Sequence, residues 1–411
     1  MNRSINKIAY LAPELPSLSA TFVTNEILAL ESKGLEVHPF SVHKPGHQAH
    51  GKQAEDLAER TEVLYDRSIF QTFTSLLKVF VKAPVRTMKA KALLISDMFK
   101  VGLFSLQSLK LAYQFLRGAY LAGQLIEKKV HHLHIHFAHV PTQIGMYAAT
   151  MAGIPFSFMV HANDIFERPL LIKEKVARSH KTMSISQFNI DLMKRKGADL
   201  KQIEIVRCGV DANQYGDLEG KQDSNTEFVI GTIGRLVEKK GIDTLIDAAK
   251  VLKEKNYSFR IEIAGDGPLR TELEAQVQDL ELGDRIQFLG SLPHMEVMKW
   301  MKQLNAFVLA GKKDRNGDMD GIPVVLMEAM MLGIPVISTK LSGIPELVIH
   351  EETGLIGEPG SAFELSQNLI RYIESEGLVE RLIPLARQRI ETEFDRSLNA
   401  DRLIRIFNSN R

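Results

Sequence analysis

Two carboxylates flank the stretch of this chain richest in chemical implication. Asp320-Gly321-Ile322-Pro323-Val324-Val325-Leu326-Met327-Glu328 reads as a loop running into a helix. Proline suits the first helical turn, because its missing N–H costs nothing there and its φ is already helical. Asp320 and Gly321 then lie on the loop feeding a helix N-terminus, where free N–H groups and the helix dipole favour an anion. At about 1.5 Å per residue, the step from Asp320 to Glu328 spans about 12 Å. That span suits a nucleotide-sugar: one acid for sugar hydroxyls, one for ribose hydroxyls, and the helix start between them for a diphosphate. The plainer reading is an N-cap aspartate and a solvated glutamate. Against it, Glu328 sits within Val-Val-Leu-Met-Glu-Ala-Met-Met-Leu, and a carboxylate in so apolar a run needs a partner.

Other polar residues fall at the carboxyl ends of predicted strands, where open α/β sheets bind ligands. After a strand at 228–233 come Gly234-Arg235 and then Glu238-Lys239-Lys240-Gly241. Arginine can hold two phosphate oxygens at once, and lysine adds a mobile point charge. Arg235 and Lys240 could therefore stabilise a leaving diphosphate, or simply be a solvated basic loop. Gly265-Asp266-Gly267-Pro268 after a strand at 260–264 reads as a tight turn whose glycines also admit a ligand close to the backbone. Gly290-Ser291-Leu292-Pro293 after 285–289 offers backbone groups to a base edge.

In the first half, His161-Ala162-Asn163-Asp164 follows a strand at 156–160. A histidine there can donate to a sugar hydroxyl or a developing charge; the alternative is a structural histidine. The run His131–His139 holds His132, His134 and His136 on one face of a strand. No Cys, Asp or Glu lies nearby in the sequence to complete a metal set. The run therefore reads as structural or cleft-lining, with His136 reaching a cleft and no metal assigned. Thr21, His136 and Asp164 are expected on an acceptor side.

These residues need strands to carry them, and the hydrophobic pattern supplies two series. Strands are expected at 7–11, 35–40, 133–137, 156–160, 181–185 and 203–206, alternating with helices. The pattern restarts at 228–233, 260–264, 285–289, 306–309 and 335–338. Two such series predict two doubly wound parallel sheets. Residues 1–210 form the first domain, 211–226 a polar linker, 227–393 the second domain, and 394–411 a last helix packing back on the first. Gly-Ile-Pro recurs at 153–155 and 333–335, each time ending a helix before a strand.

Bulk properties narrow the class without naming a partner. The chain has 411 residues, is 45% hydrophobic and 25% charged, and carries a formal charge of +1. Its single cysteine, Cys208, excludes internal disulfides and fits a reducing compartment. No secretion signal is read at the N-terminus, and the charge-free stretch 140–160 is broken by Pro and Gly. Local charge says more. Between Ser68 and Val130, ten basic residues face only Asp97 and Glu127, interleaved with Phe70, Phe73, Phe80, Phe99 and Phe104. Such a segment suits an anionic membrane surface, or else two helices with solvated basic faces. Nothing in it matches a nucleic-acid recognition motif.

Together these motifs resemble family 4 of the retaining glycosyltransferases. The resemblance runs through Gly234–Gly241, Ala264–Pro268, Asp320–Glu328 and Gly343-Ile344-Pro345-Glu346-Leu347-Val348. Cys208-Gly209-Val210-Asp211 resembles the family's inter-domain junction, with Cys where Asn is usual. Thr21–Ile27 and Met319–Pro323 are most similar to enzymes that build bacterial exopolysaccharides, including colanic-acid types. The resemblance implies the GT-B fold, two Rossmann-like domains facing across a cleft. It implies transfer from a UDP- or GDP-sugar to a saccharide or lipid-linked saccharide, with retention and without metal. It implies a cytoplasmic location, peripheral on the inner face of the membrane. Arg235 and Lys240 would bind the diphosphate, Glu328 the ribose, Asp320 the sugar, and Gly321 and Ile322 would offer N–H groups. His161 would lie near the reacting carbon. Asp320 stands where the wider family has Glu, and Pro13–Ala20 lacks the paired glycines of many relatives. A nucleotide-sugar epimerase, a phosphorolytic enzyme and a non-catalytic module are the alternatives on the same fold.

Overall fold

A computed structural model describes residues 5–17, 20–46, 51–161, 164, 170–197, 199, 203–216 and 227–409. The expectations for Ala162, Asn163, part of the 13–20 loop and 217–226 of the linker lie outside them. The chain divides into two compact units, Met1–Val206 with Asn399–Arg411, and Arg207–Leu398.

In the N-terminal unit, β1 (Lys7–Glu14), α1 (Thr21–Ser32), β2 (Glu36–His43), α2 (Lys52–Arg60) and β3 (Glu62–Val63) come first. Three consecutive helices follow: α3 (Ile69–Lys82), α4 (Pro84–Val101) and α5 (Leu106–Glu127). The unit continues with β4 (His132–His136), α6 (Val140–Ala152), β5 (Phe156–Val160), α7 (Ile172–Arg178), β6 (Lys181–Ser184), α8 (Gln187–Arg195) and β7 (Ile203–Ile205). The seven strands are all parallel, in the order β3-β2-β1-β4-β5-β6-β7. Parallel strands covered on both faces read as near-continuous apolar runs, and β4 and β5 are buried at every residue. β4 departs from that rule on one side. Leu133 and Ile135 enter the main core, while His132, His134 and His136 face the other way, fully buried.

A second buried polar contact pins the helical layer. Asp97 of α4 has no exposed surface and receives both terminal nitrogens of Arg178 of α7, each at 2.6 Å. Tyr147 of α6 donates to the same carboxylate at 2.8 Å. Three helices thus share one carboxylate.

The C-terminal unit holds β8 (Phe228–Ile233), α9 (Ile242–Glu254), β9 (Phe259–Ala264), α10 (Arg270–Asp279), β10 (Ile286–Gly290), α11 (His294–Met301) and β11 (Ala306–Val308). It continues through α12 (Val324–Met331), β12 (Val336–Thr339), β13 (Leu355–Gly357), α13 (Ala362–Glu374) and α14 (Glu376–Arg389) to α15 (Arg396–Asn408), most of which belongs to the N-terminal unit. Its six parallel strands run β10-β9-β8-β11-β12-β13. Strands β3 and β13 were absent from the expected series, being two and three residues long. Both Gly-Ile-Pro tripeptides end helices with a left-handed glycine, Gly153 at φ 73° and Gly333 at φ 72°.

Removing one partner of a buried ion pair leaves the other charge stranded, at about 3–5 kcal/mol. Asp97→Ala is therefore expected to lower the unfolding free energy by about that amount in urea denaturation. A loss under about 1 kcal/mol would show that Asp97 does not hold the helical layer.

Candidate functional site

Both sheets reverse strand order once, between β8 and β11 in the C-terminal unit and between β1 and β4 in the N-terminal unit. Ligands of doubly wound sheets bind at such switch points, beyond the strand carboxyl ends. The candidate residues of each unit gather at its own switch point.

In the C-terminal unit, three βα loops are tied together through their backbones. Gly234 N–H donates to Ala264 at 3.0 Å, and Gly265 N–H donates to Gly290 at 2.7 Å. Gly265 sits at φ 122°, and a Cβ there would stand 2.0 Å from the Gly234 carbonyl oxygen. No other residue type fits that position. The Gly290 carbonyl accepts one of these bonds, so this glycine takes part in the loop framework. Gly241, at φ 64°, brings the β8 loop against the β11 loop; a Cβ on it would lie 1.8 Å from the Ala310 carbonyl oxygen. The Lys312 N–H completes the contact by donating to Lys239 at 3.0 Å.

That approach sets lysines against aspartates. Lys240 Nζ lies 2.5 Å from Asp320 Oδ2. Lys239 Nζ lies 2.8 Å from Asp318 Oδ2 and 3.5 Å from Asp320 Oδ1. Burial alone would depress the Lys239 ammonium. Its hydrogen bond to Asp318 and the charges of Asp320 and Asp318 overcome that and hold it above the ordinary lysine range. Lys239 and Asp318 were not among the expected site residues; the only signal was their adjacency to Lys240 and Asp320. Arg235, two residues past β8, is exposed; its carbonyl accepts from the Val237 N–H at 2.8 Å, and its side chain makes no ion pair or hydrogen bond among the described residues.

The helix start differs from the expectation in one respect. Pro323 is the cap residue of α12, with extended backbone at φ −72° and ψ 127°, not its first helical residue. Residues 320–323 therefore do not climb at the helical rise, and the span of about 12 Å computed for a helix does not carry over. No side chain caps α12 and no acid occupies its first turn. Among the described residues the N–H groups of Gly321, Ile322, Val324 and Val325 find no acceptor. Glu328 lies on the second turn. Near it Tyr215 is pushed up, first by burial and then by the Glu328 charge.

In the N-terminal unit, His161 follows β5 with its N–H on Asp164 Oδ2 at 2.8 Å. Its ring packs against Phe137 at 4.4 Å and Phe22 at 4.9 Å between centroids. His161 Nε2 meets His136 Nδ1 at 3.2 Å, and His136 Nε2 meets Glu26 Oε1 at 2.9 Å. Burial, with the neighbouring His136 and His139, holds the His161 ring well below the ordinary histidine range, so it is neutral. Burial pushes the Asp164 carboxyl up to about 6, against the pull of backbone N–H groups and of Lys175. Burial lowers Lys175 to about 7 in turn, and its ammonium donates to the carbonyls of Ala138 and Leu170. Thr21 is the exposed first residue of α1. The sequence reading found no acid for the histidine run; the fold brings Glu26 to it from α1. Glu26, Tyr10 and Ser157 went unnoticed because they lie far away in the chain.

Comparisons with known proteins bear on the family and the fold. Residues 217–389 match the family described as Glycosyl transferases group 1. The chain is 28% identical over 411 residues to the amylovoran biosynthesis glycosyltransferase AmsK of Erwinia amylovora, covering 95% of this chain and 97% of that relative. It is 32% identical over 247 residues to WcaL of Escherichia coli (strain K12), named for colanic acid biosynthesis, covering 58% and 60% of the two chains. Among solved structures, Anabaena Alr3699/HepE in complex with UDP superposes at TM-score 0.74 and 17% identity, over 98% of this chain and 100% of that one. Sucrose-phosphate synthase from Thermosynechococcus elongatus gives TM-score 0.71 and 17% identity, over 97% of each chain. Residues 217–389 thus form a glycosyltransferase group 1 domain, and the chain carries the GT-B fold.

Proposed function

We propose that the protein transfers a sugar from a nucleoside diphosphate sugar to a saccharide or lipid-linked saccharide in cell-surface polysaccharide biosynthesis, retaining the anomeric configuration. The observation that carries this reading is the Lys240–Asp320 pair, set at a switch point beside the uncapped start of α12. Arg235, Lys240 and the helix N–H groups meet the diphosphate, and their positive charge stabilises it as it leaves. Asp320 accepts from sugar hydroxyls and Glu328 from the ribose. Gly234 and Gly265 let the donor approach the backbone, and Pro323 directs the chain into α12. Gly290 supports that frame. The acceptor lies on the N-terminal unit near His161, His136, Asp164 and Thr21, and its hydroxyl displaces the nucleoside diphosphate. Uridine is the first base to test, because solved structures of similar fold hold UDP and UDP-glucose. AmsK and WcaL, named for amylovoran and colanic acid biosynthesis, support an exopolysaccharide acceptor.

The same reading includes a membrane-facing surface. All but three of the exposed large apolar side chains among the described residues fall within 69–113, on α3, α4, α5 and the turn before α5. Phe104 is 97% exposed, Val85 81% and Phe70 76%. Lys78, Lys82, Lys89, Lys91 and Lys110 are exposed among them. Arg117 is an exception to the expected basic face. It is buried, donating to the carbonyls of Leu64 and Arg67 and to the Tyr113 hydroxyl. No helix among the described residues is long and apolar enough to cross a membrane. A surface lying on anionic lipid fits both the apolar excess and the lysines.

Three outcomes are expected. A uridine or guanosine diphosphate should raise the melting temperature in the presence of EDTA, by an amount equivalent to about 2.7 kcal/mol at 100 times Kd. Glu328→Ala should erase that gain; a gain that persists removes Glu328 from the donor site. Arg235→Ala and Lys240→Ala should each lower the transfer rate by about 10²–10³, the usual cost of removing one charge-stabilising donor, and a wild-type rate in either would withdraw its assignment. In vesicle sedimentation, the protein should bind phosphatidylglycerol-containing vesicles and release at high salt. Phe73→Asp with Phe104→Asp should weaken that binding at least tenfold, since each buried phenylalanine contributes about 1.5–3 kcal/mol. Equal binding to neutral vesicles, or none to either, would argue against the lipid surface.

A further inference from the structure

The histidine face of β4 meets an acid only through the fold. β1 and β4 pair side by side, and α1 follows β1, which carries Glu26 over the end of β4. His136 Nε2 is 2.9 Å and His134 Nε2 3.8 Å from Glu26 Oε1, and the three donor atoms all lie within 4.8 Å of one another. Zinc binds imidazole nitrogen and carboxylate oxygen at about 2.0–2.2 Å, so one tetrahedral ion holds its donors about 3.3 Å apart. Small rotations of these side chains reach that spacing.

A second observation points to a ligand. His134 Nε2 is buried and has no hydrogen-bond partner among the described residues. It faces a carboxylate from too far away to donate to it, and any lone pair there is turned towards an anion. A cation between them satisfies both groups. The remaining ring nitrogens are already engaged, as those of metal-bound histidines are. His134 Nδ1 contacts Ser157 Oγ at 2.9 Å, and His136 Nδ1 contacts His161 Nε2 at 3.2 Å. Tyr10 orients the carboxylate by donating to Glu26 Oε1 at 2.6 Å.

We infer that Glu26, His134 and His136 form a site for one divalent transition-metal ion. Two imidazoles and one carboxylate select zinc-class ions over calcium or magnesium, which take oxygen ligands. The site lies in the N-terminal unit, and the diphosphate-binding residues lie in the other. It ties α1 to β4, and it alters what His161 presents. With an ion on His136 Nε2, the His136 proton sits on Nδ1 and donates to His161 Nε2, leaving the His161 proton on Nδ1. Without an ion, His136 Nε2–H donates to Glu26, His161 Nε2–H donates to His136, and His161 Nδ1 carries a lone pair. Only that consequence rests on the proposed role of His161.

The test uses the full-length protein, freed of metal with a chelator and titrated with Co²⁺ and with Zn²⁺. One equivalent of Co²⁺ should bind with the visible absorption of a tetrahedral N/O site, and Zn²⁺ should displace it. Glu26→Gln and His134→Ala should each weaken binding at least about tenfold, since loss of even a supporting partner costs 10–100-fold. His131→Ala, outside the set, should bind like wild type. If His134→Ala does not fold, the near-isosteric Glu26→Gln carries the comparison. Wild-type protein that binds no stoichiometric ion overturns the inference. So does binding that survives both Glu26→Gln and His134→Ala, because the ion then sits elsewhere. None of these readouts depends on sugar transfer, so failure here leaves the donor-site reading standing.

Discussion

The geometry of the lysine–aspartate cluster depends on how closely two backbones pass at the switch point of the C-terminal sheet. Gly241 lies against the Ala310 carbonyl so tightly that no side chain could stand there. Its left-handed φ ends the short turn Glu238–Lys240 and begins α9. The closeness is what brings Lys239 and Lys240 within ion-pair reach of Asp318 and Asp320. Gly265 imposes the same condition on the β9 loop. These glycines set distances between charges rather than contributing charges themselves.

The ion pairs formed there are poor candidates for stabilising the fold. Pairs of partly exposed charges contribute about 0–1 kcal/mol, and Lys240 and Asp320 keep 18% and 15% of their side-chain surface. Their value lies in being exchangeable. On the proposed reading, a diphosphate competes with Asp320 for Lys240. The freed carboxylate then becomes an acceptor for sugar hydroxyls. One bond is replaced by two, and both act on the donor. Arg235 needs no such exchange, its side chain having no partner to give up among the described residues.

The sequence revealed these parts unevenly, for physical reasons. Strand–helix alternation was legible because parallel strands and their covering helices bury continuous apolar runs; β8 and β5 fall where the pattern puts them. β3 and β13, two and three residues long, were not legible, whereas β7 and β11, three residues each, fall within expected runs. Local motifs placed Arg235, Lys240 and Asp320 on βα loops and Glu328 on the helix that follows, because a βα unit is contiguous in sequence. The polar cluster of the N-terminal unit was only half visible. Its histidines alternate along one strand, a period-2 signal, but Glu26, Tyr10 and Ser157 come from three other elements. Nothing short of strand order reveals that α1 overhangs β4. The reading of the histidine run as lacking an acid was correct for the sequence and incomplete for the fold. The start of α12 was misplaced by one residue because proline serves both as a cap and as a first helical residue.

The helices α3, α4 and α5 pose the opposite problem, with more apolar surface than the core uses. The residues of α3 that are fully buried are Thr72 and Val79, while Ile69, Phe70, Phe73, Leu77, Phe80 and Val81 are exposed. A helix selected only to cover a sheet would be patterned the other way, apolar inward and polar outward. Its N-terminus is nonetheless well built, with a capping box between Ser68 and Gln71. The helix is therefore defined locally, and its outward face is free to meet something other than water. The lysines interleaved with that face make an apolar protein partner a poor match, since they would be buried without counter-charges. A lipid surface avoids this cost. Long lysine stems lie along the apolar layer while their ammonium groups reach anionic headgroups, so one surface can be apolar and cationic at once without leaving either group unpaired.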